Sequence, residues 1–130
     1  MAGTTTHPAA IRNAFADLIT STCSTTGRLV FRITGSTATS PSTPVATLTL
    51  SNPIGAGAAA GVLTLSAISS DTNAAGGVIA FATLQTAAGT IACHTTVGTS
   101  GDAININSGG LTVTAGDTVA CSALTYTACP

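Results

Sequence analysis

The chain contains no lysine, no glutamate and no tryptophan. Its formal charges are three arginines against four aspartates in 130 residues, a net charge of −1. Nucleic-acid binding rests largely on neutralising phosphates with Lys and Arg. So sparse a cation set argues against DNA or RNA as a partner. Aromatics are scarce too: Phe15, Phe31, Phe81 and Tyr126 are the whole set, too few for platforms on which sugars or bases stack. No apolar run reaches the ~20 residues of a membrane-spanning helix. The opening MAGTTTHPAAIRNAF lacks the basic start, apolar centre and cleavage site of an export signal. These absences predict a chain made in a cytoplasm, with neither a membrane nor a nucleic acid as partner.

Apolar material is ample: 45% of the residues are hydrophobic, and the length suits one domain with one core. Threonine and serine take over the polar duty, which suits strands, where β-branched side chains pack well. Few charges and near-neutrality favour association, so the expectation is a subunit that self-associates into a homo-oligomer or joins a larger assembly. Cys23, Cys93, Cys121 and Cys129 default to thiols in a reducing compartment. Cys93 and Cys121 sit among alternating apolar residues and read as small core hydrophobes. A Cys93–Cys121 bridge formed after release into an oxidising medium stays open, because sequence does not fix pairing.

One helix is visible, over residues 8–20, following a flexible arm at 1–7. Pro8 suits a first helical turn, with Thr6 or His7 as the cap. Ile11, Phe15, Leu18 and Ile19 recur at helical spacing along one face, opposite Arg12, Asn13, Ala16 and Asp17. The apolar face is expected to lie on the protein's own sheet; docked on a partner instead, it would be the anchor. The stretch 20–27 breaks the pattern, with Gly27 as a stop.

From Arg28 the period changes to two. Leu29, Phe31 and Ile33 alternate with Arg28, Val30 and Arg32, which predicts a strand with its arginines on the wetter face. Further strands are expected at 45–50, 62–68, 78–85, 90–97, 103–107, 111–114 and 118–127. A loop spans 35–44, an irregular connection 52–61, and 78–97 reads as a hairpin around Ala87-Ala88-Gly89. About eight evenly spaced strands and one N-terminal amphipathic helix predict an all-β, jelly-roll-like two-sheet β-sandwich over residues 8–130.

No residue set carries chemistry. His94 neighbours Cys93, but adjacent strand residues point to opposite faces. Neither CxxC nor HxxxH spacing draws in His7, Cys23, Cys121 or Cys129. His94 is expected to face solvent. His94 with Asp71, Asp102 or Asp117 lacks any nucleophile signature, and those aspartates sit at turns, where carboxylates cap backbone N–H groups. Asp102, Asn105 and Asn107 offer oxygens for calcium without EF-hand spacing. Gly55-Ala56-Gly57 lacks the lysine and the strand-to-helix setting of a phosphate loop. The expected sets of catalytic, cofactor-binding and metal-ligating residues are therefore empty, and the chain reads as no enzyme.

The segments IRNAFADLIT, RLVFRIT, ATLTLSNP, GVLTLSAISSDTNA, GVIAFATLQTAAGTI, VGTSGDAININ and TAGDTV…LTYT follow one another from about Ala9 to Thr127. In that order the chain resembles a family of small tailed-bacteriophage virion proteins. The motifs that carry the resemblance are β-turns and alternating strands. It implies a structural virion component, a decoration (cement) protein bound to the major capsid protein on the outer head surface. A tail or head–tail joining component is the alternative, and a glycan- or host-surface-binding β-sandwich module is another. The four cysteines and the alanine-rich hairpin depart from the family pattern, and no functional residues carry over.

Overall fold

The computed structural model describes residues 5–23, 27–33, 43–55, 57–65, 68–101, 104–106, 110–121 and 124–127. A helix, α1 (Ala9–Thr22), precedes eight strands: β1 (Gly27–Ile33), β2 (Pro44–Thr49), β3 (Val62–Leu65), β4 (Gly77–Thr86), β5 (Ile91–Gly98), β6 (Ile104–Asn105), β7 (Thr112–Val113) and β8 (Leu124–Thr127). The strands divide six and two. A six-stranded sheet runs β2-β1-β4-β5-β6, with β7 paired to β4, and a small sheet pairs β3 with β8. The all-β, two-sheet fold with one N-terminal helix read from the sequence is the fold observed.

Register explains the core. Leu29 lies between Leu48 on β2 and Leu84 on β4, and Leu84 faces Cys93 on β5. The next row sets Phe31 between Ala46 and Ala82, so the one large ring is flanked by the two smallest side chains that can pack. Leu29, Leu48 and Leu84 are at most 2% exposed, each contributing roughly 1.5–3 kcal/mol by burial. Ile54, Leu63, Leu65 and Ile79 close the same cluster from the connection, the small sheet and the start of β4.

The arginine face of β1 is not the wetter one. Val30 and Arg32 are buried as well, and Arg28 is half-buried. The reason is position: β1 is flanked by β2 and β4 on both sides, and Arg32 finds internal partners. Its Nε donates to Thr83 Oγ1 at 3.1 Å and one terminal nitrogen to Gln85 Oε1 at 2.7 Å. The Thr83 hydroxyl also donates to Gln85 Oε1 at 2.7 Å. Burial pushes the Arg32 guanidinium pKa down, though a guanidinium stays charged in any case.

Several boundaries move. The helix runs two residues past the expected end, with Thr22 Oγ1 bonded to Leu18 O and Cys23 N to Ile19 O. Its N-cap is Pro8, without a side-chain cap from Thr6 or His7; the Pro8 carbonyl takes the Ile11 and Arg12 amides instead. Among the described residues of the strand expected at 118–127, Leu124–Thr127 form a ladder, whereas Val119 makes a single bridge to Asp71. Ser69, beyond the expected 62–68 strand, bridges to Thr49 on the other sheet. Most of the expected loop 35–44 lies outside the described residues, as do residues 1–4 of the expected arm. His7, the last of that arm, sets its ring edge-on to Phe15 at 5.5 Å between centroids.

Candidate interaction surface

Helix α1 is fastened to the rest of the chain through side chains of its polar side. Asn13 Oδ1 accepts the Gly61 amide at 2.7 Å, and Asp17 Oδ1 accepts the Ala58 amide at 2.8 Å. These bonds fasten the helix to the 57–61 turn, whose N–H groups have no ladder partner of their own kind at those points. Gly61, at φ +78°, comes so close to Arg12 that an added Cβ would lie 2.9 Å from the Arg12 Cβ; only glycine serves both the left-handed backbone and the close approach. Ala16, between the two anchors, and Ile19 and Cys23 beyond them are buried, and α1 packs on β3. Gly55 stands on the same floor, where a Cβ would overlap the Thr64 carbonyl. Gly55 thus passes close against β3, and Gly61 close against the helix.

The apolar stripe points the other way. Ile11 is 43% exposed, Phe15 39% and Leu18 63%, and only Ile19 of the expected inward face is buried. The expectation that this face lies on the protein's own sheet is corrected by the two side-chain anchors, Asn13 and Asp17. The helix residues that are buried instead are Ala16 and Ile19. Ala10, Ala14 and Ser21 complete the exposed side, so the outward surface of α1 carries Ile11, Phe15, Leu18 and small residues without a basic side chain. Asp17, at its margin, is held by the Ala58 amide. A solvent-facing helix surface is normally polar or charged; this one carries three large apolar side chains at 39–63% exposure and is held in place by polar anchors.

The residues weighed for chemistry separate. His94 is half-buried rather than solvent-facing. Its ring tilts on Phe81 at 5.5 Å, and Nε2 is shut away from solvent with no hydrogen-bond partner. It faces Thr83 across the β4–β5 pair, on the Arg32 side of the sheet, while Cys93 faces Leu84 on the core side. Cys23 and Cys93 are thiols, so the Cys93–Cys121 bridge is not formed. Burial pushes the Cys23 pKa up, with the nearby Cys93 adding to it. Burial also raises the Cys93 pKa, against a backbone hydrogen bond with Leu84 that lowers it.

Asp71 and Asp117 hold backbone rather than substrate. Asp71 Oδ2 accepts Thr47 N and Oδ1 accepts Asn73 N, both at 2.9 Å, and Asp117 Oδ2 accepts Thr114 N at 2.9 Å. Asn105 is exposed on β6; Asp102, Asn107 and Cys129 lie outside the described residues. Among the described residues, no group of three His, Cys, Asp or Glu side chains could hold a metal ion, and no helix is long and apolar enough to cross a membrane. Sequence reasoning found the apolar stripe but missed its direction. The available signal was the pair Asn13 and Asp17, spaced by four on a helix beside a glycine-rich tract rich in free amides.

No family model, curated protein or solved structure matches this chain.

Proposed function

We propose that this protein is a non-enzymatic structural component of a bacteriophage virion. Its role is capsid decoration: it binds the outer surface of the major capsid protein lattice and stabilises the head. The observation that carries the reading is the outward Ile11–Phe15–Leu18 stripe on a helix anchored by Asn13 and Asp17. A protein that cements a lattice needs contact area rather than reactive groups. This chain offers an apolar contact face, few charged residues, and three aspartates, Asp17, Asp71 and Asp117, committed to backbone amides. The resemblance of its strand and turn motifs to small phage virion proteins supports the same reading.

The deciding measurement is stoichiometry in purified particles. A decoration protein is expected in hundreds of copies per head, on the scale of the major capsid protein. A dozen or fewer copies would move the chain to the tail or head–tail joint, and absence from particles would overturn the virion role. Leu18→Asp is expected to abolish rebinding to particles stripped of this protein while leaving its thermal unfolding nearly unchanged, since that side chain is 63% exposed.

A further inference from the structure

The molecule treats its sheet edges unequally. The outer edge of β2 is closed: the Val45 carbonyl accepts the Ala75 and Gly76 amides, Thr47 N donates to Asp71, and Thr49 exchanges both backbone bonds with Ser69. On the other side of the sheet, β6 covers the end of β5 at Val97 and Gly98, and the start of β5 is bent by a bulge where its register with β4 shifts between Leu84 and Gln85, a feature that turns edges away from partners. The outer edge of β8 has neither protection.

Alternation fixes which groups β8 presents. Val62 spends both its backbone groups on Ala59, at 2.9 and 3.0 Å, so Leu63 and Leu65 are the β3 residues that bond to β8. Their register partners are Tyr126 and Leu124. Successive residues of a strand turn their N–H and C=O to opposite sides, so Thr125 and Thr127 direct theirs outward. Among the described residues nothing pairs with them. The side chains of Thr125 and Thr127 are exposed, while Leu124 and Tyr126 are only half-buried at the margin of the core. A two-stranded sheet is the least self-sufficient kind, and three or more strands are the usual stable unit.

We infer that the β8 edge is a self-association site, where β8 of a second copy adds antiparallel across a two-fold axis opposite Tyr126. That axis sets Thr125 of each copy opposite Thr127 of the other. Two such pairs exchange four backbone hydrogen bonds and use every outward group of the two residues. The result is a continuous β3-β8-β8-β3 sheet, with the two Tyr126 side chains adjacent at a close, non-hydrogen-bonded pair. The occupant is a second copy because the edge is its own complement under that axis and the contact is isologous, so it closes on itself rather than growing into a filament. Neither β3 nor β8 carries a charge to set like against like. This inference stands apart from the capsid reading, since particle binding is carried by α1 and is measured separately.

The test is the association state of the whole chain by sedimentation over a concentration series. It is read in parallel by tyrosine emission, which reports Tyr126 alone because it is the single tyrosine and there is no tryptophan. The wild type is expected to dimerise with concentration and to shift its Tyr126 emission in step. Thr125→Pro removes an N–H that faces solvent in the monomer, where an edge strand tolerates proline, and is expected to weaken dimerisation at least tenfold. Should that variant fold poorly, two double variants of exposed side chains decide. Thr125→Lys with Thr127→Lys opposes like charges and should leave monomers; Thr125→Lys with Thr127→Glu pairs opposite charges and should restore dimers. A wild type that stays monomeric throughout, or a dimer indifferent to all three variants, would overturn the proposal. A dimer lost only with Leu18→Asp would assign self-association to the helix instead.

Discussion

The outer edges of β2 and β8 are built from the same material, threonines alternating with apolar residues and no charge, yet the fold handles them in opposite ways. At β2, the segment from Ser69 to Gly76 lies along the strand and takes up its free groups one after another, with the Asp71 carboxylate filling the place of a missing carbonyl. At β8, Thr125 and Thr127 are left without a backbone partner among the described residues. Edge strands are hazards when long, flat and uncharged. A protein without lysine cannot protect them with the usual cation; it closes one edge with its own chain and, among the described residues, leaves the other uncovered. The helix repeats the contrast between its two sides: Asn13 and Asp17 are spent internally, and Ile11, Phe15 and Leu18 are offered outward.

The largest effect expected is at the shared core, beneath both regions. Leu84→Ala removes a side chain touching the central rows of β1, β4 and β5, and should cost about 2–5 kcal/mol in denaturant unfolding. Next, Asp71→Ala should cost about 2 kcal/mol by releasing two amides from a charged acceptor. It also makes β2 resemble β8, so larger assemblies than the wild type's should appear in sedimentation; a change in stability alone would show that the carboxylate braces the turn and does not guard the edge. Asn13→Ala should cost about 1 kcal/mol, since Gly61 N loses its acceptor, and should raise hydrogen exchange across α1 before the strands. Smallest is Leu18→Ser, expected within about 0.5 kcal/mol of wild type because 63% of that side chain is already exposed.

The buried thiols add a pH dependence. Folding raises the pKa of Cys23 and Cys93 above the ordinary value of 9.0, so the unfolded chain ionises first. Their contribution to stability is complete below that value and falls as pH rises through it towards the folded pKa values. Unfolding midpoints are expected to drop above about pH 9, and Cys23→Ala with Cys93→Ala should flatten that drop.

Much of the fold was legible because its signals are local. Alternation located β1, β2, β4 and β5 to within a residue or two, and the glycine and Ala-Ala-Gly turns placed the hairpin. The short strands were harder. Residues 118–127 read as one strand by composition, but a ladder forms only where a partner strand lies alongside, and Val119 met Asp71 instead of β3. The arginine face of β1 misled for the same reason: a polar residue faces water only if no neighbour supplies Thr83 and Gln85. The stripe on α1 was legible as a stripe, and its outward direction was not, since amphipathicity gives two faces and does not say which one the rest of the chain will bind.

The sequence by itself determined the class of protein. Without lysine, glutamate or tryptophan, and with three of its four carboxylates beside turn residues, this chain is committed to β-structure held by apolar rows and backbone hydrogen bonds. Tertiary structure alone decided where the contacts end. Whether an edge is sealed or open, and whether Phe15 points to the core or to solvent, depends on segments distant in sequence: residues 69–76 against β2, and residues 57–61 against α1. Local pattern specifies which groups seek partners, and only the folded chain shows which partners are already supplied.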